Sequence, residues 1–294
     1  MEKTSSPKRG KHPTKEFFKE LAYVLVAFFF LNSFVLASFE VPTGSMENEI
    51  MAGDFLFVNK FIYGGSTPRT IPLTNIKLPW FRVHPIKEVE HGDVIVFEFP
   101  GQRDEIRSPE FMFYLKRATG LAGDTVQVIN RVVHINGKPA DIPRNLKFNN
   151  HRIIPPGIAD PRIFPRGAPF NEDNWGPVRV PQQGDVIELT LENLDRWATF
   201  IAREGHAVSV GPGNRILVDG NLQSIYAVEH DYIFGMGDNR DNSLDSRFWG
   251  FIPEENIIGT PMIVYWSWDP DIQLTEFFDK IESIRFSRVG TLIR

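Results

Sequence analysis

Between Leu21 and Phe39 the chain runs for nineteen residues without a charge, LAYVLVAFFFLNSFVLASF. Coiled as a helix at about 1.5 Å per residue, such a run covers about 28 Å, close to the roughly 30 Å hydrocarbon layer of a bilayer. No polar face interrupts it, as one would on a helix packed against a soluble core. Six basic side chains precede it (Lys3, Lys8, Arg9, Lys11, Lys15, Lys19) against three acids (Glu2, Glu16, Glu20). That asymmetry predicts a cytoplasmic tail over residues 1–20, a transmembrane signal anchor over 21–39, and residues 40–294 outside the cytoplasm. A cleavable signal peptide is the competing reading, with Val35 and Ala37 as its small-residue site. The run is longer than the 7–15 residues usual for a signal-peptide core. No second span follows. Ile257 to Trp268 is a short apolar run containing Gly259 and Pro261, and it reads as a buried strand.

Composition removes several classes of function. Cysteine is absent, which excludes a disulfide framework, a cysteine-ligated metal and a cysteine nucleophile. A net charge of -5 argues against nucleic acid as a partner. The 25 phenylalanines, beside only 6 tyrosines and 6 tryptophans, call for a thick core or contact with lipid.

Strand signals dominate beyond residue 40. Asp54 to Val58 and Asp93 to Phe99 are short β-rich runs, each announced by a Gly-Asp turn. Phe111 to Arg117 is another, and Thr125 to Ile135 alternates well enough for two strands. Asn136-Gly137 and Asp219-Gly220 are hairpin turn dipeptides. Residues 139–181 are rich in Pro, Gly and Asn and read as a surface excursion. One soluble helix is expected where Leu191, Leu194, Ala198 and Ile201 share a face ahead of Gly205. The expected architecture is a mainly β domain with a lobe inserted at about 139–215.

Few patterns carry chemistry. The seven histidines are scattered, with no H-x-x-x-H pair for zinc, and no G-x-S-x-G elbow or phosphate loop occurs. The acidic loop Asp238–Asp245 invites a calcium reading that fails, because Arg240 takes a ligand position and Ser243 replaces the turn glycine. No metal and no cofactor are expected. Two segments are left that folding alone does not explain: Val41-Pro42-Thr43-Gly44-Ser45-Met46, just past the apolar run, and Lys116 within Tyr114-Leu115-Lys116-Arg117. With a period of two, Lys116 shares a face with Met112 and Tyr114, and Arg117 with Phe113 and Leu115. Both faces are largely apolar, so at least one of these cations is expected in low dielectric, where a lysine pKa falls from about 10.4 and a neutral amine can act as a base.

These segments carry a family resemblance. Pro42-Thr43-Gly44-Ser45-Met46, Gly53-Asp54-Phe55, Gly92-Asp93-Val94-Ile95-Val96-Phe97, Tyr114-Leu115-Lys116-Arg117 with Gly120-Leu121-Ala122-Gly123-Asp124, and the long stretch Gly237 to Pro253 resemble, in order, the boxes of bacterial type I signal peptidases. The cytoplasmic tail, residues 61–90 and the insertion near 139–215 match poorly. The resemblance implies an antiparallel β catalytic core and a Ser-Lys dyad serine protease that removes signal peptides from exported preproteins at the inner membrane. Preprotein signal peptides, the lipid bilayer and the export translocon would be its partners. Ser45 would be the nucleophile and Lys116 the general base. The Ser45 N–H and the Thr43 hydroxyl would hold the oxyanion. Ser243 would orient the lysine amine, with Asp238, Asp245 and Arg247 supporting the site. Phe39, Val41, Met46, Ile50, Tyr114 and Leu115 would shape pockets for small side chains at the cleavage site. The chain departs from the family's Ser-Met-x-Pro-Thr-Leu, reading Ser45-Met46-Glu47-Asn48-Glu49-Ile50 and placing two carboxylates beside the nucleophile. Rival readings are a related Ser-Lys maturation peptidase and a catalytically inactive membrane-anchored β module. A self-cleaving repressor is opposed by the apolar anchor.

Overall fold

The computed structural model describes residues 13–67, 79 and 81–294, so the basic tail up to residue 12 and most of 68–80 lie outside the described residues. Helix α1 runs from Pro13 to Phe34 and strand β1 follows at once, from Leu36 to Glu40. The apolar run is therefore shared between two elements, which corrects the span expected over 21–39. Leu36 to Glu40 leave the helix because they pair antiparallel with β2 (Asp54–Asn59), in register from Leu36 opposite Asn59 to Glu40 opposite Phe55. The helix makes up the lost length at its other end, where its membrane-length part begins at Thr14. Its C-terminal end is tied to the domain: the Lys60 N–H donates to Val35 O at 3.0 Å, and Gly65 lies so close to Phe34 that a Cβ there would meet its carbonyl oxygen at 2.2 Å.

The next strands are β3 (Val94–Glu98) and β4 (Phe113–Gly120). The chain then leaves the sheet and returns to it as β14 (Tyr232–Met236), β15 (Ile252–Pro253) and the long β16 (Ile257–Ser267). These seven strands form one antiparallel sheet in the order β1-β2-β16-β3-β4-β14-β15. Register shifts in β16 against β2 and β3 mark bulges, which bend a sheet and increase its twist. The sheet curls enough that β1 and β4, four places apart in the order, bring the Phe39 and Phe113 rings to 4.9 Å.

Everything between β4 and β14 is inserted, a longer lobe than the 139–215 expected. It holds β5 (Thr125–Ile129), β6 (Val132–Ile135), β7 (Lys138–Pro139) and β8 (Trp175–Arg179) in a four-stranded sheet. β9 (Val186–Glu188) pairs with β13 (Ile225–Ala227), and β10 (Val208–Gly211), β11 (Arg215–Val218) and β12 (Asn221–Leu222) make a small meander. The turns Asn136-Gly137 and Asp219-Gly220 take positive φ at both residues, as a two-residue hairpin with the natural strand twist requires. Helix α2 (Leu194–Arg203) buries Phe200 and Ile201, and Gly205 follows it at φ +102.

Alternation along β3 divides the core. Ile95 and Phe97 face a large cluster shared with the lobe, while Val94 and Val96 face a smaller one with Val41, Met46, Ile50, Leu56, Val58 and Val264. Trp175 joins lobe to sheet. It is 1% exposed, its ring lies 4.6 Å from that of Phe234 on β14, and its Nε1–H donates to Phe164 O at 2.6 Å. Replacing it removes a large buried ring and orphans a carbonyl. Trp175→Ala is expected to cost ~3–5 kcal/mol in denaturant unfolding of the whole domain; an unchanged midpoint would mean that the lobe docks through other contacts.

Candidate active site

Ser45 and Lys116, 71 residues apart in the chain, place Oγ and Nζ 2.7 Å from each other. Both are buried, at 8% and 3% exposure. The serine sits in a compact turn after β1. Glu47 N–H donates to Gly44 O and Ile50 N–H to Met46 O, while Asn239 N–H from the distant acidic loop donates to Ser45 O at 3.0 Å. Met46 and Ile50, 1% and 0% exposed, pin this turn into the smaller core. The lysine lies mid-strand in β4, opposite Ile95 on β3. On its other side Gly235 of β14 leaves space for the stem, since a Cβ there would lie 3.1 Å from the lysine Cβ.

Burial brings the Lys116 pKa down from 10.5 to about 8, chiefly because the ammonium loses its hydration. Asp245 and Asp238 oppose this, and Arg247 adds to it. The two carboxylates cannot reverse it, because each is already matched by an arginine. Arg117 grips Asp238 with Nε and Nη2 at 2.8 and 2.5 Å, and Arg247 grips Asp245 with the same two nitrogens at 2.8 Å each. Desolvation therefore dominates, and near neutral pH the amine can exist as an acceptor for the Ser45 hydroxyl proton. The Ser45 N–H and the Thr43 hydroxyl donate to no group among the described residues, so both are available to a third oxygen.

The pair opens into a cavity of about 810 Å³ walled by two segments, residues 39–43 and 112–116. Phe39, Val41, Met46, Tyr114 and Leu115 line it. Ile50 does not; its side chain is held wholly inside the core beneath the serine turn. The sequence reading missed Leu56, Val96 and Phe113 on the cavity wall, and also Arg162 and Glu172, which arrive from the inserted lobe. Alternation along β2 and β3 could have shown the first two, but nothing local announces the lobe residues.

Ser243 differs from expectation in its contacts. It lines the cavity beside Lys116, yet its buried hydroxyl has no hydrogen-bond partner and so does not hold the amine. The hydroxyl packs instead against Gly237, where a Cβ would come within 2.2 Å of it. Asp245 and Arg247 stand behind the site rather than in it. Asp245 caps the short helix α3 (Ser246–Trp249) and accepts from Gly237 N–H at 3.2 Å, while Arg247 reaches Arg240 O and Glu172 O. The unusual Glu47 and Glu49 turn away from the cavity. Glu47 pairs with Lys147 at 2.9 Å, and Glu49 accepts from Asn145, so both carboxylates fasten the lobe to the serine turn. Lys147 also bridges the acidic loop through Asp238 O and Arg240 N–H.

Residues 14–266 match the family model described as signal peptidase, peptidase S26. The chain belongs to that family. It is similar to the protein named Signal peptidase I of Pseudomonas aeruginosa, at 29% identity over 95% of this chain and 78% of that one. The protein of the same name from Rickettsia prowazekii is 30% identical over 94% of this chain and 92% of its own. A solved signal peptidase I from Enterococcus faecalis V583 aligns at TM-score 0.25 and 18% identity, over 59% of this chain and 97% of that one, too distant to carry an argument. Membership makes the chain a serine endopeptidase, and of the cavity's residues the buried serine against a lysine is the pair suited to that chemistry.

Because Arg247 and Asp245 are 2% and 0% exposed at their side chains, removing one charge strands the other. Asp245→Asn is expected to destabilise the domain by ~3–5 kcal/mol, read from denaturant unfolding; a loss below about 1 kcal/mol would show that the pair is not buried as described.

Proposed function

We propose that this chain is a membrane-anchored endopeptidase that cleaves N-terminal signal peptides from exported preproteins, with Ser45 as nucleophile and Lys116 as general base. The observation that carries the reading is the 2.7 Å contact between a buried hydroxyl and a buried amine of lowered pKa at an apolar cavity. The substrate lies extended between residues 39–43 and 112–116, its small side chains entering the apolar wall. Neutral Lys116 accepts the Ser45 proton as Oγ attacks the scissile carbonyl. The Ser45 N–H and the Thr43 hydroxyl donate to the oxyanion. Collapse breaks the C–N bond, and the lysine ammonium gives its proton to the departing amine. The acyl group is then an ester on Ser45. Lys116, neutral again, takes a proton from water, and the hydroxide frees the signal peptide and restores the serine.

Position supports the substrate class. β1 starts two residues after α1 ends, so the cavity follows directly on the apolar helix. Phe277 and Phe278 of helix α4 (Phe277–Glu282), with Phe286, are 62%, 79% and 71% exposed, which suits a domain that rests on lipid. With the basic tail in the cytoplasm, α1 crosses the inner membrane once and sets the site at its outer face, where the export translocon delivers the cleavage site.

Ser45→Ala should abolish cleavage of a purified preprotein while the chain stays folded. Lys116→Arg keeps a cation that does not deprotonate in the working range, and should lower kcat/KM by roughly 10²–10⁴-fold or more. In the parent, kcat/KM should rise with pH through about 8, as the amine loses its proton. Cleavage by Lys116→Arg near the parental rate would place the base elsewhere.

A further inference from the structure

The acidic loop carries one arginine, Arg240, among three aspartates, Asp238, Asp241 and Asp245, and the reaction uses none of the four directly. Around Arg240 lie two carboxylates, Asp238 and Asp245, and two guanidinium groups, Arg117 and Arg247. Each carboxylate already has its own arginine, in the two pairs described above. The third, Asp241, is taken by Arg131 at 3.7 Å and by the N–H groups of Asn149 and Asn150, so Arg240 pairs with none of them. It is 5% exposed, its Nε is buried without a partner, and its side chain makes no hydrogen bond or ion pair to any described residue.

This unpaired guanidinium lines a second cavity, of about 360 Å³, separate from the one that holds Ser45 and Lys116. Arg117 reaches the same space, and Ala118, Val133, Ile135 and Ile142 supply apolar walls. Asp141 stands at the exposed rim and forms no ion pair with either arginine. A desolvated arginine is costly unless its donors are met, and its planar fork matches the two oxygens of a carboxylate or phosphate.

We propose that this cavity is a binding site for a small oxyanion, carboxylate or phosphate, carried on a compact apolar body and held by Arg240. The anion meets the Arg240 donors that no described residue accepts from, and the apolar walls take the rest of the ligand. The site is connected to the nucleophile through the backbone, because Asn239, next in the chain to Arg240, donates its N–H to Ser45 O.

Thermal unfolding of the full chain in neutral detergent, at fixed ionic strength, tests this with four solutes: butyrate, inorganic phosphate, neutral butyramide and chloride. Butyrate should raise Tm by about 2 °C or more for each tenfold rise in concentration above its Kd, with butyramide and chloride inert. Phosphate acting as strongly as butyrate would show that the charge alone is recognised, and phosphate acting weakly that the apolar body counts; either pattern supports the site. Arg240→Gln should lose the shift. Ile142 is 77% exposed at the rim, so Ile142→Glu should fold normally and lose the shift by setting a fixed carboxylate at the mouth. Equal shifts with butyramide or chloride, no shift with either oxyanion, or a full shift retained in both variants would overturn the proposal.

Discussion

Keeping one lysine amine dry is the constraint around which the sheet side of the molecule is organised, and on it rests the proposal that Lys116 serves as a base. An ammonium of ordinary pKa would hold its proton at neutral pH and could not accept another from serine. Lys116 is enclosed by β3, β4 and β14, with Gly235 leaving room for its stem, and a pKa of about 8 leaves a fraction of the amine neutral near pH 7. The enclosure has a thermodynamic consequence. Since the folded pKa of about 8 lies below the ordinary 10.5, the folded state holds fewer protons than the unfolded chain between those values. Burial of Lys116 therefore weakens the fold below about pH 8, and the penalty shrinks as pH rises toward 10.5. The two core clusters on opposite faces of the sheet have to outweigh it.

A dry amine is useful only if nearby charges do not restore its proton, and the acidic loop sees to that. Asp238 and Asp245 come close enough to favour the ammonium, yet each is gripped by an arginine that offsets its field. The same pairs shape the loop, so that Asn239 can hold the Ser45 carbonyl and Gly237 can pass close to it. The lobe then clamps the assembly from outside through Lys147, which bonds both the acidic loop and Glu47. Glu47 and Glu49, which look out of place beside Ser45, thus act as fasteners between serine turn and lobe.

Much of this was legible in the chain because the signals are local. The Gly-Asp turns, the β-rich runs and the two hairpin dipeptides mark β2, β3 and the lobe hairpins near their observed bounds. The segment 41–46 and a lysine within an apolar strand are local signals, but the choice of Ser45 and its pairing with Lys116 come from the family resemblance and not from pattern alone. What the sequence hid depends on partners far away in the chain. The end of α1 could not be read, because the residues that peel Leu36 to Glu40 into a strand lie on β2. Ile50 reads as a pocket residue by position and is core by packing. The exposure of Arg162 and Glu172 to the cavity depends on how the lobe folds back, and the turning of the Ser243 hydroxyl toward Gly237 depends on the path of the acidic loop.

The proposal that Lys116 is the base beside Ser45 rests chiefly on burial lowering its pKa, and titration of that amine tests this without reference to turnover. With lysines isotopically labelled at the ε position, and Lys116→Arg used to assign its resonance, NMR in detergent would follow the amine from pH 6 to 11. The account predicts a midpoint near 8, well below that of the exposed lysines. A midpoint near 10.5 would contradict it, since the amine would then be an ordinary ammonium at the pH where the enzyme works.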